Sequence, residues 1–411
     1  MLLGDQVYAD EVSPATEELI ASRRTADGPP PDEVGDFEEY TALYRESWSD
    51  PALRWLLSTV SSAMIFDDHD VHDDWNISEA WIAQMRAQPW WEDRILGAYM
   101  SYWIYQHLGN LSPSLLYDDP IFCAVEEADG DCRGIVREFA RTAERETAGT
   151  RWSFHRDFGR ARLVVIDSRA GRVLAEGRRQ MLSDKDWEWM EDRCTGAFDH
   201  LIIATSLPVL LAPGMHHLEA WNEAVCDGAW GALAARLGEK IRQALDLEHW
   251  AAFAGCFGRM SVLLEDVAAG RRGPAPATVT LLSGDVHHAY VAEAWFPGRD
   301  ITSRVVQATC SPIRNPLDKR ERRVLRSAFT RPVAALARGL ARAAKVADPE
   351  IRWTTSARAP TFDNQIARLD LRGRDAELRI EKTVPEEWKT PRLHQSVSLH
   401  IAPKATSSRG R

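Results

Sequence analysis

The feature that most constrains this chain is a repeated pattern in which short, apolar, β-rich runs end abruptly in polar residues of reactive type. Residues 61–66 run into Asp67-Asp68-His69, residues 163–166 into Asp167, and residues 278–282 towards Gly284-Asp285. The same arrangement recurs where residues 201–204 meet Thr205-Ser206 and residues 305–308 precede Cys310-Ser311. Apolar runs of this length read as buried strands, and polar clusters at their ends predict sheets whose carboxyl ends form one site. Helical patterns lie between them, over 36–48, 92–107, 133–146 and 184–193, with Ser183 and Asp184 as candidate N-caps of the last. The alternation predicts an α/β layered protein with strands inside and helices outside.

A chain of 411 residues, 45% of them hydrophobic, buries one large core or two ordinary ones. Its formal net charge of −11 disfavours non-specific nucleic-acid binding by the whole molecule, so no nucleic-acid partner is predicted. No run of eighteen apolar residues predicts a transmembrane segment, and the start lacks the basic-then-apolar pattern of an export signal. Met1-Leu2-Leu3-Gly4-Asp5 reads as the end of a buried strand entering a functional turn. An expectation follows that a strand, and with it a possible export signal, lies upstream. The six cysteines, at 123, 132, 194, 226, 256 and 310, show no C-x-x-C pair. Free, mostly buried thiols are expected, with a Cys123–Cys132 bridge as the alternative in an exported protein.

Beyond Pro316 the composition changes. Residues 319–345 carry Arg322, Arg323, Arg326, Arg331, Arg338 and Arg342 on a helical pattern, with Pro332 as a break. Either a solvated helical face or a surface-binding helix has this composition. Residues 365–371 and 376–381 flank Arg372-Gly373-Arg374-Asp375 as a β-hairpin, and 396–401 form a last strand before the polar tail 405–411. The expected organisation is a catalytic domain over 1–317, a basic helical segment over 318–350, and C-terminal strands over 351–411 that complete the fold.

Three clusters carry the chemistry. In Gly4-Asp5-Gln6-Val7-Tyr8-Ala9-Asp10, glycine permits a sharp turn, the two oxygens of Asp5 suit a bridge between two cations, and Tyr8 can return a phenolate to the same centre. A capped turn with Asp10 exposed is the plainer reading. The run Asp67-Asp68-His69-Asp70-Val71-His72-Asp73-Asp74 sets five carboxylates and two imidazoles in eight positions, which repel one another unless cations or partners neutralise them. A solvated acidic loop is the alternative, opposed by the flanking Met64-Ile65-Phe66 and Trp75. In Ser283-Gly284-Asp285-Val286-His287-His288, an extended chain would project Asp285 and His287 to one side and His288 to the other.

In this order, the clusters resemble the calcineurin-like metallophosphoesterases, whose blocks run G-D-x-x, G-N-H-[DE] and G-H-x-H. They are most similar to the alkaline phosphatase D (PhoD-like) branch, where D-D-H-[DE] and G-D-V-H stand in the second and third places. Asp167-Ser168-Arg169-Ala170-Gly171-Arg172, Ser311-Pro312 and Phe362-Asp363-Asn364 add to the likeness, which covers residues 2 to about 316 and the hairpin region. The resemblance implies an αββα fold around a central β-sandwich, lacking here the family's first strand and its D-x-H-type metal block. It implies Asp5 as bridging ligand, Tyr8 as ligand of a ferric ion, Asp68 as ligand of a second metal, and Asp285 and His287 as the late ligands. It also implies His69 as the catalytic histidine that assists the leaving oxygen. Two or more metal ions are implied, iron with calcium, acting on a small phosphate-ester substrate, monoester or diester. Arg169 and Arg172 are candidates for phosphate binding, or for structural ion pairs with Asp167. With the first block absent, reduced or no hydrolysis by this chain is expected, and a degenerate phosphoesterase fold that binds without turnover is the alternative.

Overall fold

The computed structural model describes residues 1–24, 28–146, 149–311, 313, 317, 319–356, 359–386 and 389–401. Pro312, Pro316, Asp318 and the tail 405–411 lie outside the described residues. Two compact units emerge: Met1–Phe154 with Asp167–Arg178 and Leu182–Asp186, and His155–Ile166 with Arg179–Met181 and Trp187–Arg411.

The first unit is mostly helical, and its sequence shows why. Asp36 accepts a hydrogen bond from the Glu39 N–H at 2.8 Å and so caps the helix Phe37–Trp48, as its position predicts. Ser13 and Ser78 cap Pro14–Arg23 and Glu79–Arg86 in the same way. The helix expected to reach His107 is regular only over Trp91–Tyr102 and continues as a π-turn over Trp103–His107. These helices enclose an aromatic core in which Phe66 stacks on Tyr102 at 4.2 Å and lies edge-on to Tyr99 and Trp152. Among the described residues, two short strands form here, β1 (Leu2–Leu3) and β2 (Met64–Ile65), paired in parallel. The strand expected over 61–66 is thus shorter than its apolar run, and it sits in a two-stranded sheet of its own.

The second unit carries the main sheet. Its strands are β3 (Phe154–Phe158, whose first residue belongs to the other unit), β4 (Ala161–Ile166), β5 (His200–Thr205), β6 (Thr278–Ser283), β7 (Tyr290–Trp295), β8 (Arg304–Thr309) and β9 (Arg352–Thr355). The order across the sheet is β3-β4-β5-β6-β8-β7-β9. β4, β5, β6 and β8 run parallel, with Ile166 opposite Thr205 and Ser283 opposite Thr309, so these strands end at one edge as the sequence pattern predicts. β7 and β9 close the sheet as antiparallel strands. A second, antiparallel sheet joins β10 (Gln365–Arg372), β11 (Asp375–Glu386) and β12 (Lys389–Ile401), with Arg372 opposite Asp375 across the expected hairpin turn.

Strand periodicity makes the sandwich. Ala376, Leu378 and Ile380 alternate with outward-facing Glu377 and Arg379, and they pack with Ile401 against Val291, Val306 and Ala308 of the main sheet. The expected layered α/β fold with two face-packed sheets is therefore present. Helix Ala254–Ala268 buries Met260, Leu263, Leu264 and Val267 and contacts β6.

The basic segment forms two helices, Lys319–Ala328 and Arg331–Ala343, broken at Thr330 with Pro332 in the first turn of the second. Arg338 and Arg342 pair with Asp348, Arg322 with Asp363, and Arg322 and Arg326 lie over the Phe362 ring. All six cysteines are free thiols. Cys194 and Cys256 are buried, and the other four are partly exposed, more than expected. Among the described residues no helix is long and apolar enough to cross a membrane.

Candidate metal centre

In the first unit, the turn after β1 and the loop after β2 are stitched into one structure by Asp70. Its carboxylate accepts hydrogen bonds from the Val7 and Asp67 N–H groups, each at 3.2 Å, while the Ala9 N–H donates to the His69 carbonyl at 2.8 Å. Burial pushes the Asp70 carboxyl up to about 7 despite these donors. Gly4, at φ +108°, lies so close to Asp67 that a Cβ would stand 1.9 Å from its Oδ2. The outcome is that Asp5, Asp67 and Asp68 each present a carboxylate oxygen within 4.8 Å of the others, with a ring nitrogen of His69 within the same distance of Asp5. The Tyr8 hydroxyl donates to Asp5 Oδ2 at 3.5 Å, and its ring tilts over that of His69 at 4.6 Å.

Two further partners shape this cluster. His69 Nδ1 lies 2.9 Å from Asp10 Oδ2, and the same carboxylate accepts the Asp73 N–H. Burial opposes the charged imidazole, but the Asp10 hydrogen bond and the charges of Asp68, Asp10 and Asp5 outweigh it and hold His69 up to about 12. Asp10 is lowered in turn, its own burial overcome by His69. The plainer reading of Asp10 as an exposed cap residue is thus corrected: its side chain is only 8% exposed. The only sequence signal for it is its place two residues beyond Tyr8.

Arg169 is fully buried, its Nε 2.7 Å from Asp67 Oδ1 and its Nη2 3.0 Å from Asp68 Oδ1. Its partners are therefore the second cluster's carboxylates, while the Asp167 carboxylate accepts the backbone N–H groups of Arg169, Ala170 and Gly171. Arg172 donates from Nε to the Ser168 carbonyl at 2.8 Å and from Nη1 to the Asn76 carbonyl at 3.0 Å. It also lines a cavity of about 310 Å³ with Trp75, Arg86, Glu144 and Arg145. That cavity includes none of Asp5, Tyr8, Asp68 or His69.

In the second unit, the loop after β6 is not extended. Asp285 and His287 both adopt left-handed backbone conformations, at φ 65° and 51°, and the Val286 and His287 N–H groups donate two residues back, to Gly284 and Asp285. The alternation expected of an extended chain is replaced by successive tight turns. His288 does separate from the other two as expected. It is buried, donates from Nδ1 to the Val286 carbonyl, stacks on Tyr290, and is pulled down to about 4 by burial. His249 also faces this loop, with Nε2 4.0 Å from Asp285 Oδ2 and Nδ1 2.6 Å from Glu219 Oε1. Burial pulls His249 down, but Glu219, Asp285 and Glu248 raise it to about 9. Sequence reasoning has no local signal for the Glu219–His249 pair, because its members are thirty positions apart and meet only in three dimensions.

The donors of the first unit suit metal ions: three converging carboxylates, a phenol and an imidazole form an oxygen-rich set of the kind hard cations take. The sandwich of the second unit and the carboxylate cluster of the first are each of the kind that the resemblance of the sequence clusters leads one to expect. Residues 1–120, which contain the first two clusters, match the family model of the PhoD-like phosphatases, in line with the resemblance drawn from those clusters. The chain is also similar to a solved structure titled "Structure of PhoD", with a TM-score of 0.58 and 12% identity. That likeness covers 98% of this chain and 63% of the other, so the chain spans less than two thirds of its solved relative, and at this identity it speaks for the fold. No curated protein matches the sequence.

Proposed function

We propose that the chain hydrolyses phosphate monoesters or diesters with the help of bound metal ions. The observation that carries this reading is the convergence of Asp5, Asp67 and Asp68, with His69 held beside Asp5 by Asp10. Asp5, Tyr8 and Asp68 would hold cations in the first unit. Asp285 and His287 are proposed as the late ligands on the strength of their place in the sequence pattern. When bound, two or more ions, iron with calcium by the family resemblance, supply an activated water and offset the charge of the phosphate.

The chain's own residues do the rest. His69 keeps a proton available to the departing alcohol oxygen: the Asp10 carboxylate, meeting Nδ1, fixes the ring and stabilises the imidazolium, whose Nε2 proton is the one given up. Tyr8 packs against the ring and limits its rotation. Arg169 holds Asp67 and Asp68 in place from below, a positioning role that supports phosphate binding indirectly.

The test is hydrolysis of p-nitrophenyl phosphate and its bis ester by the full chain reconstituted with ferric and calcium ions, alongside Asp5→Asn, Asp68→Asn and His69→Ala. Turnover in the parent and its loss in all three variants is the expected result. Retention of full turnover by all three would overturn the assignment. Binding of phosphate esters with metal uptake but no turnover would show a degenerate, binding-only site.

A further inference from the structure

The geometry of the second unit points to a positioning residue there: we infer that His249, oriented by Glu219, positions the Asp285 carboxylate for a cation. The inference rests on the function proposed above. Glu219 is fully buried on helix Pro213–Cys226, and its Oε1 receives His249 Nδ1–H at 2.6 Å. That bond fixes the plane of the ring, as carboxylates do for imidazoles around metal sites. The other ring nitrogen, Nε2, is buried and makes no hydrogen bond among the described residues. An imidazole serving packing alone would have both nitrogens satisfied, because an unpaired buried polar atom costs about 1–3 kcal/mol.

What Nε2 faces is Asp285 Oδ2, 4.0 Å away. This is too long for a hydrogen bond and within reach of a small rotation of the carboxylate. Asp285 itself is held in a left-handed backbone conformation at the end of its strand. His249 begins the single turn Trp250–Ala252, and Trp250, Ala251 and Ala252 are all buried, so its backbone is anchored independently of the ligand. The arrangement is a buried carboxylate, an oriented imidazole and a ligand-type carboxylate in series, drawn from a helix, a turn and a strand-end loop.

The experiment is calorimetric titration of calcium into the chelator-treated full chain and its His249→Ala, His249→Gln, Glu219→Gln and Asp285→Asn variants, with thermal unfolding of each. His249→Ala is expected to weaken calcium binding about 10–100-fold, the usual effect of losing an outer partner of a metal ligand. His249→Gln, which retains an N–H donor, should recover most of that loss and keep the metal-free unfolding midpoint near the parent's, while His249→Ala, which takes this partner from buried Glu219, should lower it. Normal calcium binding by His249→Ala while Asp285→Asn loses it would overturn this inference and leave the proposed function standing. Equal losses of affinity and of metal-free stability in both His249 variants would also overturn it, by showing a packing role. Absence of calcium binding in the parent chain would overturn the metal reading itself and this inference with it.

Discussion

At the scale of single residues, the first unit shows how a histidine among several carboxylates is oriented by one of them. His69 has Asp5, Asp68 and Asp73 in its surroundings, and Asp10 meets Nδ1 at hydrogen-bond distance, while Asp73 stands 3.8 Å from Nε2. Asp10 is therefore the group that sets the orientation of the ring, and its role is separable from those of the proposed ligands. Asp10→Asn should keep the hydrogen bond from the Asp73 N–H, because the amide oxygen also accepts, but it removes the charge that stabilises the imidazolium. Steady-state hydrolysis of p-nitrophenyl phosphate by the metal-loaded chain should fall about 100-fold, at the lower end of what general acid catalysis contributes. Metal content should hold near the parent value. Unchanged turnover would show that Asp10 serves the loop and not the reaction.

At the scale of elements, the centre of the first unit depends on two short strands and the turns that leave them. Gly4 makes the approach possible: its φ of +108° and the closeness of Asp67 together exclude a side chain. Gly4→Ala should force the turn away from Asp67, at a cost of at least about 1–3 kcal/mol for the strained backbone alone. The expected readout is a lower urea midpoint with weakened metal uptake, and a variant with parent-like values in both would show that the loop adapts freely. Much of this level is legible from sequence. Helix starts at Asp36 and Ser183, the parallel strands β4, β5, β6 and β8, and the hairpin turn at Arg372–Asp375 all follow from local patterns of capping and periodicity. What escaped is non-local or conformational. The β2 strand is shorter than its apolar run because Phe66 is used in an aromatic core and not in a ladder. The Asp285 loop departs from extended geometry through two left-handed residues that no glycine announces. Glu219, His249 and the Arg169 contacts to Asp67 and Asp68 join residues separated by thirty to about a hundred positions, which no spacing rule brings together.

At the scale of the whole molecule, a chain of net charge −11 also buries carboxyl groups away from the proposed metal ligands, and these make its stability depend on pH in a definite direction. Glu223 is the clearest case. It lies inside helix Pro213–Cys226, 7% exposed, and accepts the Ala254 N–H at 2.8 Å. Burial raises its carboxyl to about 7, against an ordinary value of 4.5, with the Ala254 donor and Arg179 only partly offsetting that effect. Between those two values the folded chain holds a proton that the unfolded chain releases, so stability falls as pH rises through this window and levels off above it. A shift of this size corresponds to about 3 kcal/mol, since each pH unit of difference is worth about 1.4 kcal/mol. Asp167, raised by burial to about 6, acts in the same sense. Glu223→Gln keeps an oxygen to accept the Ala254 N–H and cannot ionise, so it isolates the contribution of one group. In urea unfolding of the chelator-treated chain, the variant should gain on the parent steadily from about pH 4.5 to 7 and keep a constant advantage at higher pH. A difference that stays flat across that range would mean that Glu223 remains ionised in the folded chain, through solvent access or a compensating charge at Arg179.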